Sequence, residues 1–351
     1  MSEQAFQQLI SGQTTGFFAA ICRGMLWSLS MPYGLITRLR NACFDVGVKK
    51  VRRVGVPVIA IGNLTTGGTG KTPIVATVVQ LLQELGYQPG IVSRGYRADA
   101  SGENDEKRVL KKLCPGVPHE QNPNRVVAAR KLIDSEKVDV IVLDDALQHR
   151  RIHRDLNVVL IDATNPFGFG YQLPRGLLRE SLSGLNRADL VLITRANAAS
   201  PTKLGQIEAA ILQHNAELAG NIHRVSFLPT GLLSADGGVQ PLTAAQNKPA
   251  TILTAIGNPG AFVSTCRQFG VNIATSMFFA DHHHYTEEDL RQVQLHAEAA
   301  QAPLILTTLK DLVKIPPGNT NILAVQIQTV FEDASSLQSV REKLLKIVDA
   351  R

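Results

Sequence analysis

From Val56 onward, short runs of continuously apolar residues alternate with longer stretches of mixed periodicity. VPVIAIGN predicts a strand leading into a glycine-rich turn, and TPIVATVVQLLQELG predicts a helix stopped by Gly86. QPGIVSRGY predicts a second strand, NPNRVVAARKLIDSEK a helix and VDVIVLDDA a third strand, and LNVVLID and ADLVLITR add two more. Runs that are apolar throughout, rather than at every second position, mark strands covered on both faces and therefore a parallel sheet. The predicted fold is α/β, with a doubly wound, mostly parallel sheet between helical layers.

The pattern pauses at SFLPTGLLSADGGVQPLTAAQNKP, rich in Gly, Pro and polar residues, and resumes with ATILTAIGNPGAF, VNIATSMFF, APLILTTLKD and NILAVQIQTVF. The expected organisation is an N-terminal apolar and basic helical segment over 1–53, a main α/β domain over 54–225, a linker over 226–249, and a smaller α/β domain over 250–351. The length of 351 residues suits two domains, and 44% hydrophobic with 5% aromatic residues describes a globular chain.

The N-terminal stretch GFFAAICRGMLWSLSMPYGLITRLR is apolar, but Arg23 interrupts it and Pro32 follows. A membrane-spanning helix needs ~20 mostly apolar residues, which argues against a span. Met1–Gly16 carries no Lys or Arg and one Glu, which argues against a signal peptide. A core-packing helix and an interfacial one both remain. Phe17, Phe18, Ile21, Met25, Trp27 and Leu29 offer a broad apolar surface, followed by Arg38, Arg40, Lys49, Lys50, Arg52 and Arg53. Apolar residues with basic flanks are how a peripheral protein lies on an anionic bilayer.

The net charge of +6 changes the picture little. No Lys/Arg run is interleaved with aromatics, which argues against nucleic acid; an anionic membrane face or an acidic substrate fits better. Cys22, Cys43, Cys114 and Cys266 lie far apart with no Cys-x-x-Cys pair. They point to a reducing cytoplasm, not to a disulfide framework or a thiolate metal site.

Chemistry concentrates first in NLTTGGTGKT, Asn63–Thr72. The phosphate-loop pattern is Gly, four residues, Gly-Lys-Ser/Thr, and here its opening position holds Thr65. The context of strand, loop and helix is the one such a loop requires. Gly67, Gly68 and Gly70 allow backbone N–H groups to turn around phosphate oxygens, and the following helix adds the positive end of its dipole. Lys71 can reach the β- and γ-phosphates, and the Thr72 hydroxyl can ligate Mg²⁺. The strand VDVIVL ends in Asp144-Asp145, carboxylates placed to hold Mg²⁺ directly or through water.

Guanine selection would call for Asn/Thr-Lys-x-Asp; NKPA lacks the Asp and TLKD has the wrong spacing. Partition ATPases and metallochaperones with a similar loop carry Lys before the double glycine, where this chain has Thr66. A phosphoryl-transfer enzyme acting on an alcohol also needs a group to take or orient the hydroxyl proton. SRGYRADASGENDEKRVL holds Arg94, Asp105 and Glu106, which alone also reads as a solvated charged loop. FFADHHHYT holds Asp281, His282, His283 and His284, which alone also reads as a surface loop or an adventitious metal site. Three consecutive histidines lack the spacing of a dedicated zinc site.

Taken in order, IGNLTTGGTGKTP, SRGY, LDDALQHRR, LPRGLLRE, AIGNPGAF, FADHHHY and TTLKD resemble the tetraacyldisaccharide 4′-kinase family, the lipid A kinases, from about Leu26 to near Lys314. Thr at the loop's opening position is that family's form. The resemblance implies a P-loop NTPase-like domain, a second smaller α/β domain, an N-terminal amphipathic helix, and an active site in the cleft between the domains. It implies transfer of the γ-phosphate of ATP to the 4′-hydroxyl of a lipid A disaccharide 1-phosphate precursor, at the cytoplasmic face of the inner membrane. On this resemblance Thr65, Thr66, Gly67, Gly68, Thr69, Gly70, Lys71 and Thr72 bind ATP, and Asp144 and Asp145 bind Mg²⁺. Asp105, with Glu106 beside it, activates the sugar hydroxyl and His282 pairs with it, while Arg94, His149 and Arg179 contact phosphate or order loops. The chain departs from the family pattern in two places. Eight residues separate Tyr96 from Asp105, in the context Asn104-Asp105-Glu106-Lys107 where the family has a longer excursion and Gly-Asp-Glu-Pro, and Leu309 replaces a common acidic residue. The competing functions are an ATP-hydrolysing switch or carrier, and a soluble small-molecule kinase or ligase.

Overall fold

A computed structural model describes residues 3–95, 103–316, 318–319 and 321–350. Helices α1 (Glu3–Ser11) and α2 (Phe17–Asp45) precede β1 (Val58–Asn63), α3 (Lys71–Glu84), β2 (Pro89–Ser93), α4 (Asp105–Leu113) and β3 (His119–Gln121). Then come α5 (Arg125–Glu136), β4 (Val140–Leu143), β5 (Leu156–Asp162), β6 (Leu190–Thr194), α6 (Pro201–His214), β7 (Ile222–Ser234) and β8 (Val239–Gln240). The chain ends with β9 (Pro249–Thr254), α7 (Pro259–Gln268), β10 (Asn272–Phe278), α8 (Glu287–Ala299), β11 (Leu304–Thr308), α9 (Leu309–Leu312), β12 (Ile322–Phe331) and α10 (Ala334–Asp349).

The chain forms two compact units, the first from residues 1–94, 117–226 and 331–351, the second from 95–116 and 227–330. In the first unit the strand order is β7-β6-β5-β1-β4-β2-β3, every pair parallel. The continuous apolar runs do what their pattern requires. Val58, Ala60, Ile141 and Leu143 pack with Val126, Ala129 and Leu132 of α5 on one face. Val159, Ile161, Val191 and Ile193, which the register places on that same face, pack with Leu204, Ile207 and Ile211 of α6. In β1 the switch from strand to loop is tight: a Cβ at Gly62 would lie 2.6 Å from the Leu147 backbone nitrogen.

The second unit is a smaller sheet, β10-β9-β11-β12 in parallel, with the second half of β7 paired antiparallel to β8. Successive residues of β9 serve opposite faces, as a pleated strand must. Ile252 packs against Phe262 and Cys266 of α7, and Leu253 against Leu290 and Val293 of α8.

Three stretches differ from the expected organisation. Residues 226–249, expected as a linker, carry most of β7 and all of β8; Pro229, Thr230 and Gly231 interrupt the apolar pattern of a strand whose buried end is Gly231–Ser234. The charged stretch 103–113 is largely helix α4, not loop. Finally, α10 belongs to the first unit rather than to the C-terminal domain, where His223 Nδ1 meets Ser336 Oγ at 3.1 Å.

Helix α2 runs 29 residues through Pro32, and only Ala19, Ser30, Gly34 and Phe44 are buried. Phe17 and Phe18 are 77% and 81% exposed, and Ile21, Met25, Trp27, Leu29, Leu35, Ile36 and Leu39 are also exposed, so core packing is not what most of its apolar surface serves. No helix among the described residues is long and apolar enough to cross a membrane. The other face of α2 is polar and tied down. Ser30 Oγ donates to the Gln172 carbonyl (3.0 Å), Tyr33 OH to the Arg179 carbonyl (2.8 Å) and Asn41 Nδ2 to Glu180 Oε2 (2.8 Å).

Candidate active site

Strand β1 ends at Asn63 and α3 begins at Lys71, so the glycine-rich turn spans the gap between a buried strand and a helix N-terminus. The turn is held from outside through its carbonyls. Asn63 Nδ2 donates to the Thr65 carbonyl (2.7 Å), Arg195 to that of Gly68 (2.8 Å) and Thr194 Oγ1 to that of Thr69 (2.9 Å). Thr66 N also donates to the Leu177 carbonyl at 2.7 Å. Carbonyls that are engaged by side chains of the scaffold are not available to repel an anion, as a phosphate cradle requires. Gly67 and Gly70 have φ of 105° and 85°, a region that favours glycine.

Gly70 caps α3 without any side-chain hydrogen bond. The first-turn N–H groups of a helix have no intrahelical acceptor, and with the dipole they form an anion site. Lys71, the first helical residue, has its Nζ 3.3 Å from Asn63 Oδ1 and 3.5 Å from Asp145 Oδ1. A Cβ placed on Gly67 or Gly68 would meet nothing within 4 Å, so the turn faces open space. Uncapped helix, engaged carbonyls, braced lysine and open concavity together fit a nucleotide phosphate chain. Thr72 follows in the same helical turn.

At the carboxyl end of β4, Asp144 is buried and donates its N–H to the Val92 carbonyl (2.9 Å). Asp145 has φ 48°. Arg179 donates to both its carboxylate oxygens at 2.9 Å. Burial pushes the Asp145 carboxyl up, but the Lys71 and Arg179 cations outweigh it and hold the group below the usual carboxylate range. The two aspartates therefore differ: Asp145 is tied to cations, and Asp144 lies deeper, at the strand end. An Asp pair with one Ser/Thr hydroxyl is an all-oxygen set of the kind Mg²⁺ accepts while keeping waters and phosphate oxygens as further ligands. Among the described residues no group of three or more His, Cys, Asp or Glu is placed to hold a metal by itself.

Several residues of this cluster were not singled out in the sequence. Gln148 Nε2 donates to the Asn63 carbonyl (3.0 Å) and to Glu180 Oε1 (2.9 Å), and Arg187 donates to both oxygens of Glu180. Arg125, buried at the start of α5, feels both Asp144 and Asp145; burial, then Arg94, lowers its pKa against them. Gln148 and Glu180 stood inside recognisable motifs, whereas Arg125 opened a helix that read as ordinary. His149, beside Gln148, is pushed down to about 4 by burial and by Arg125, Arg151, Arg154 and Arg40, so it is neutral near pH 7. Its Nε2 is buried without a hydrogen-bond partner among the described residues. Arg94 lies exposed just after β2.

The second cluster is built within the second unit. Asn104 caps α4 by accepting from Lys107 N (2.9 Å), which puts Asp105 and Glu106 in the first turn, where the dipole favours anions. Tyr96 and the residues up to 102, the shortened stretch before this acidic pair, lie outside the described residues. Asp105 Oδ2 accepts from His282 Nδ1 at 3.2 Å. His282 has φ 66°, an uncommon backbone for a bulky residue. A carboxylate only accepts, so Nδ1 carries the proton, and Nε2 faces the Lys310 ammonium at 3.5 Å. Lys310 in turn pairs with Asp281 Oδ1 at 2.9 Å. Burial pushes the Asp105 carboxyl up; the His282 hydrogen bond and the Lys314, His282 and Lys310 charges reverse this and hold it below the usual range. It stays ionised. Glu106 is half-buried beside it. The other histidines separate by role: His283 stacks on Phe279 (4.6 Å) and bonds Asp289 (3.0 Å), a structural position.

With this geometry established, comparison with known proteins is informative. The family model described as tetraacyldisaccharide-1-P 4′-kinase matches residues 22–346. The tetraacyldisaccharide 4′-kinase of Geobacter metallireducens is 35% identical over 92% of this chain and 98% of its own. That of Geobacter sulfurreducens is 34% identical over 97% and 98%. The crystal structure of LpxK from Aquifex aeolicus in complex with ATP superposes with a TM-score of 0.74 at 25% identity, covering 93% of this chain and 99% of that one.

Proposed function

The chain belongs to the tetraacyldisaccharide-1-phosphate 4′-kinase family, and from that premise we propose how its two residue clusters divide the work of moving the γ-phosphate of ATP onto a lipid disaccharide. The enzyme is an ATP-dependent kinase whose acceptor is the 4′-hydroxyl of a tetraacyldisaccharide 1-phosphate. The observation that carries the division of labour is the uncapped α3 N-terminus with Lys71 braced between Asn63 and Asp145.

In this reading Thr65–Thr72 bind the triphosphate, with backbone N–H groups and Lys71 matching the negative charge that grows on the transferred group. Thr72 with Asp144 and Asp145 would hold Mg²⁺, whose charge offsets that of the phosphates. The 4′-oxygen attacks the γ-phosphorus, the bond from γ-phosphorus to the β–γ bridging oxygen breaks, and ADP leaves. The hydroxyl proton passes to Asp105, with His282 orienting the carboxylate from Nδ1. Phosphoryl transfer asks mainly for positioning and charge stabilisation, so an ionised carboxylate of modest basicity is enough. Glu106, Arg94, His149 and Arg179 support the phosphates and loops. The exposed apolar face of α2 with its basic flank supports peripheral attachment to the cytoplasmic face of an anionic inner membrane.

The test of the nucleotide side is ATP titration and turnover of Lys71→Ala beside the wild type in detergent. Wild-type turnover should depend on added lipid acceptor, and Lys71→Ala should lose about a hundred- to a thousandfold in kcat. ATP turnover that ignores the lipid would point instead to a nucleotide-driven switch.

A further inference from the structure

The Lys314 side chain is completely buried, 0% exposed, and brings its amine into the interior between two carboxylates. Its Nζ lies 3.0 Å from Asp311 Oδ1 and 3.9 Å from Asp105 Oδ2, and 5.3 Å from the centre of the Tyr285 ring. Asp311 is also fully buried, and the fold fixes it without help from Lys314. Its Oδ2 accepts from Thr254 Oγ1 and Thr308 Oγ1, both at 2.8 Å, and its Oδ1 from Ala255 N at 3.2 Å. A buried ammonium costs several kcal/mol unless paired. Here it stands between a carboxylate held by the ends of β9 and β11 and a second carboxylate on the first turn of α4.

We propose that Lys314 is a positioning residue for the reaction: its buried ammonium fastens Asp105, and with it the start of α4, to the rigid Asp311 anchor, aiming the carboxylate that takes the acceptor proton. This rests on the reading of Asp105 as the proton acceptor. His282 and Lys314 both approach Oδ2. Among the described residues no hydrogen bond or ion pair engages Oδ1, the oxygen left for the substrate.

The charged and titratable groups around Asp105 come from every neighbouring segment. His282 and Asp281 follow β10, Tyr285 follows them, Lys310 and Asp311 lie on α9, and Lys314 comes just after it. Glu103, Glu106 and Lys107 belong to α4 and its approach. Removing the one cation buried against Asp105 leaves only His282 and the Lys310 charge to offset its burial, so its proton affinity rises.

The experiment is the pH profile of kcat/KM for the lipid acceptor at saturating ATP, for the wild type, Lys314→Met, Lys314→Arg and Asp105→Asn. Lys314→Met should lower kcat at least tenfold with KM for ATP unchanged within twofold, and raise the acidic limb by roughly one to two pH units. Lys314→Arg should restore most of both. If the single variant fails to fold, Lys314→Met combined with Asp311→Asn removes the pair without stranding a charge, and the limb should still move upward. An unmoved limb in a folded Lys314→Met or double variant, with Asp105→Asn inactive, overturns the role of Lys314 alone. Wild-type activity in Asp105→Asn overturns the reading of Asp105, and this proposal with it.

Discussion

Asp105 and Asp145 are both held ionised against burial, by different partners and toward different ends. Asp145 is clamped by Lys71 and Arg179, beside the glycine-rich turn. Asp105 faces His282 and two lysines and can accept a proton. We expect Asp105→Asn to reduce transfer by about a hundred- to ten-thousandfold, with the ATP dissociation constant within twofold of wild type by calorimetry. A large loss of ATP affinity would instead place Asp105 in the nucleotide site. His149 provides a test of electrostatics by pH. Its folded value is about 4, below the ~6.5 of an unfolded histidine. The unfolded chain therefore binds the proton first as pH falls, and stability present above ~6.5 is lost down to about 4. In chemical denaturation the midpoint of His149→Gln should fall less than that of wild type over this window; parallel curves would contradict the burial argument.

Three helices carry the functional meaning at the level of elements, and they were unequally legible. Helix α3 and its loop stand out because strand, glycines and Gly-Lys-Thr are contiguous. Helix α4 reads as a charged loop until its signals are taken together: Asn104 as cap, acids in the first turn, Lys111 and Lys112 in the last. Helix α2 showed its apolar content but not its partners, since the contacts of Tyr33 and Asn41 reach residues 146 and 139 positions away. Periodicity cannot register such pairs. The exposed Phe17 and Phe18 make a direct prediction. Phe18→Asp should weaken binding to vesicles containing anionic lipid by roughly tenfold or more, the worth of burying one aromatic side chain, while ATP affinity in detergent is unchanged. Unaltered vesicle binding would remove α2 from the membrane contact.

At the scale of the whole molecule, the parallel sheets were readable because strands covered on both faces are apolar throughout. The division of the chain was not. The second unit takes residues 95–116 from the middle of the first, and the first takes back residues 331–351 at the end; composition along a chain shows where an element is, not which sheet it returns to. Strand β7 was hidden for a related reason, Pro229 and Gly231 interrupting the apolar pattern at its middle. The same limit applies to the site, whose loop and aspartates were visible as motifs while Lys314 and Arg125 were not, because their meaning is burial. What joins these parts is one reaction, and the most direct test is to follow the phosphate. The purified protein, with γ-labelled ATP, Mg²⁺ and tetraacyldisaccharide 1-phosphate in detergent, should place label on the lipid at the 4′-position, and Lys71→Ala should do so about a hundred- to a thousandfold more slowly. Label released only as inorganic phosphate, with the lipid unmodified, would contradict the account.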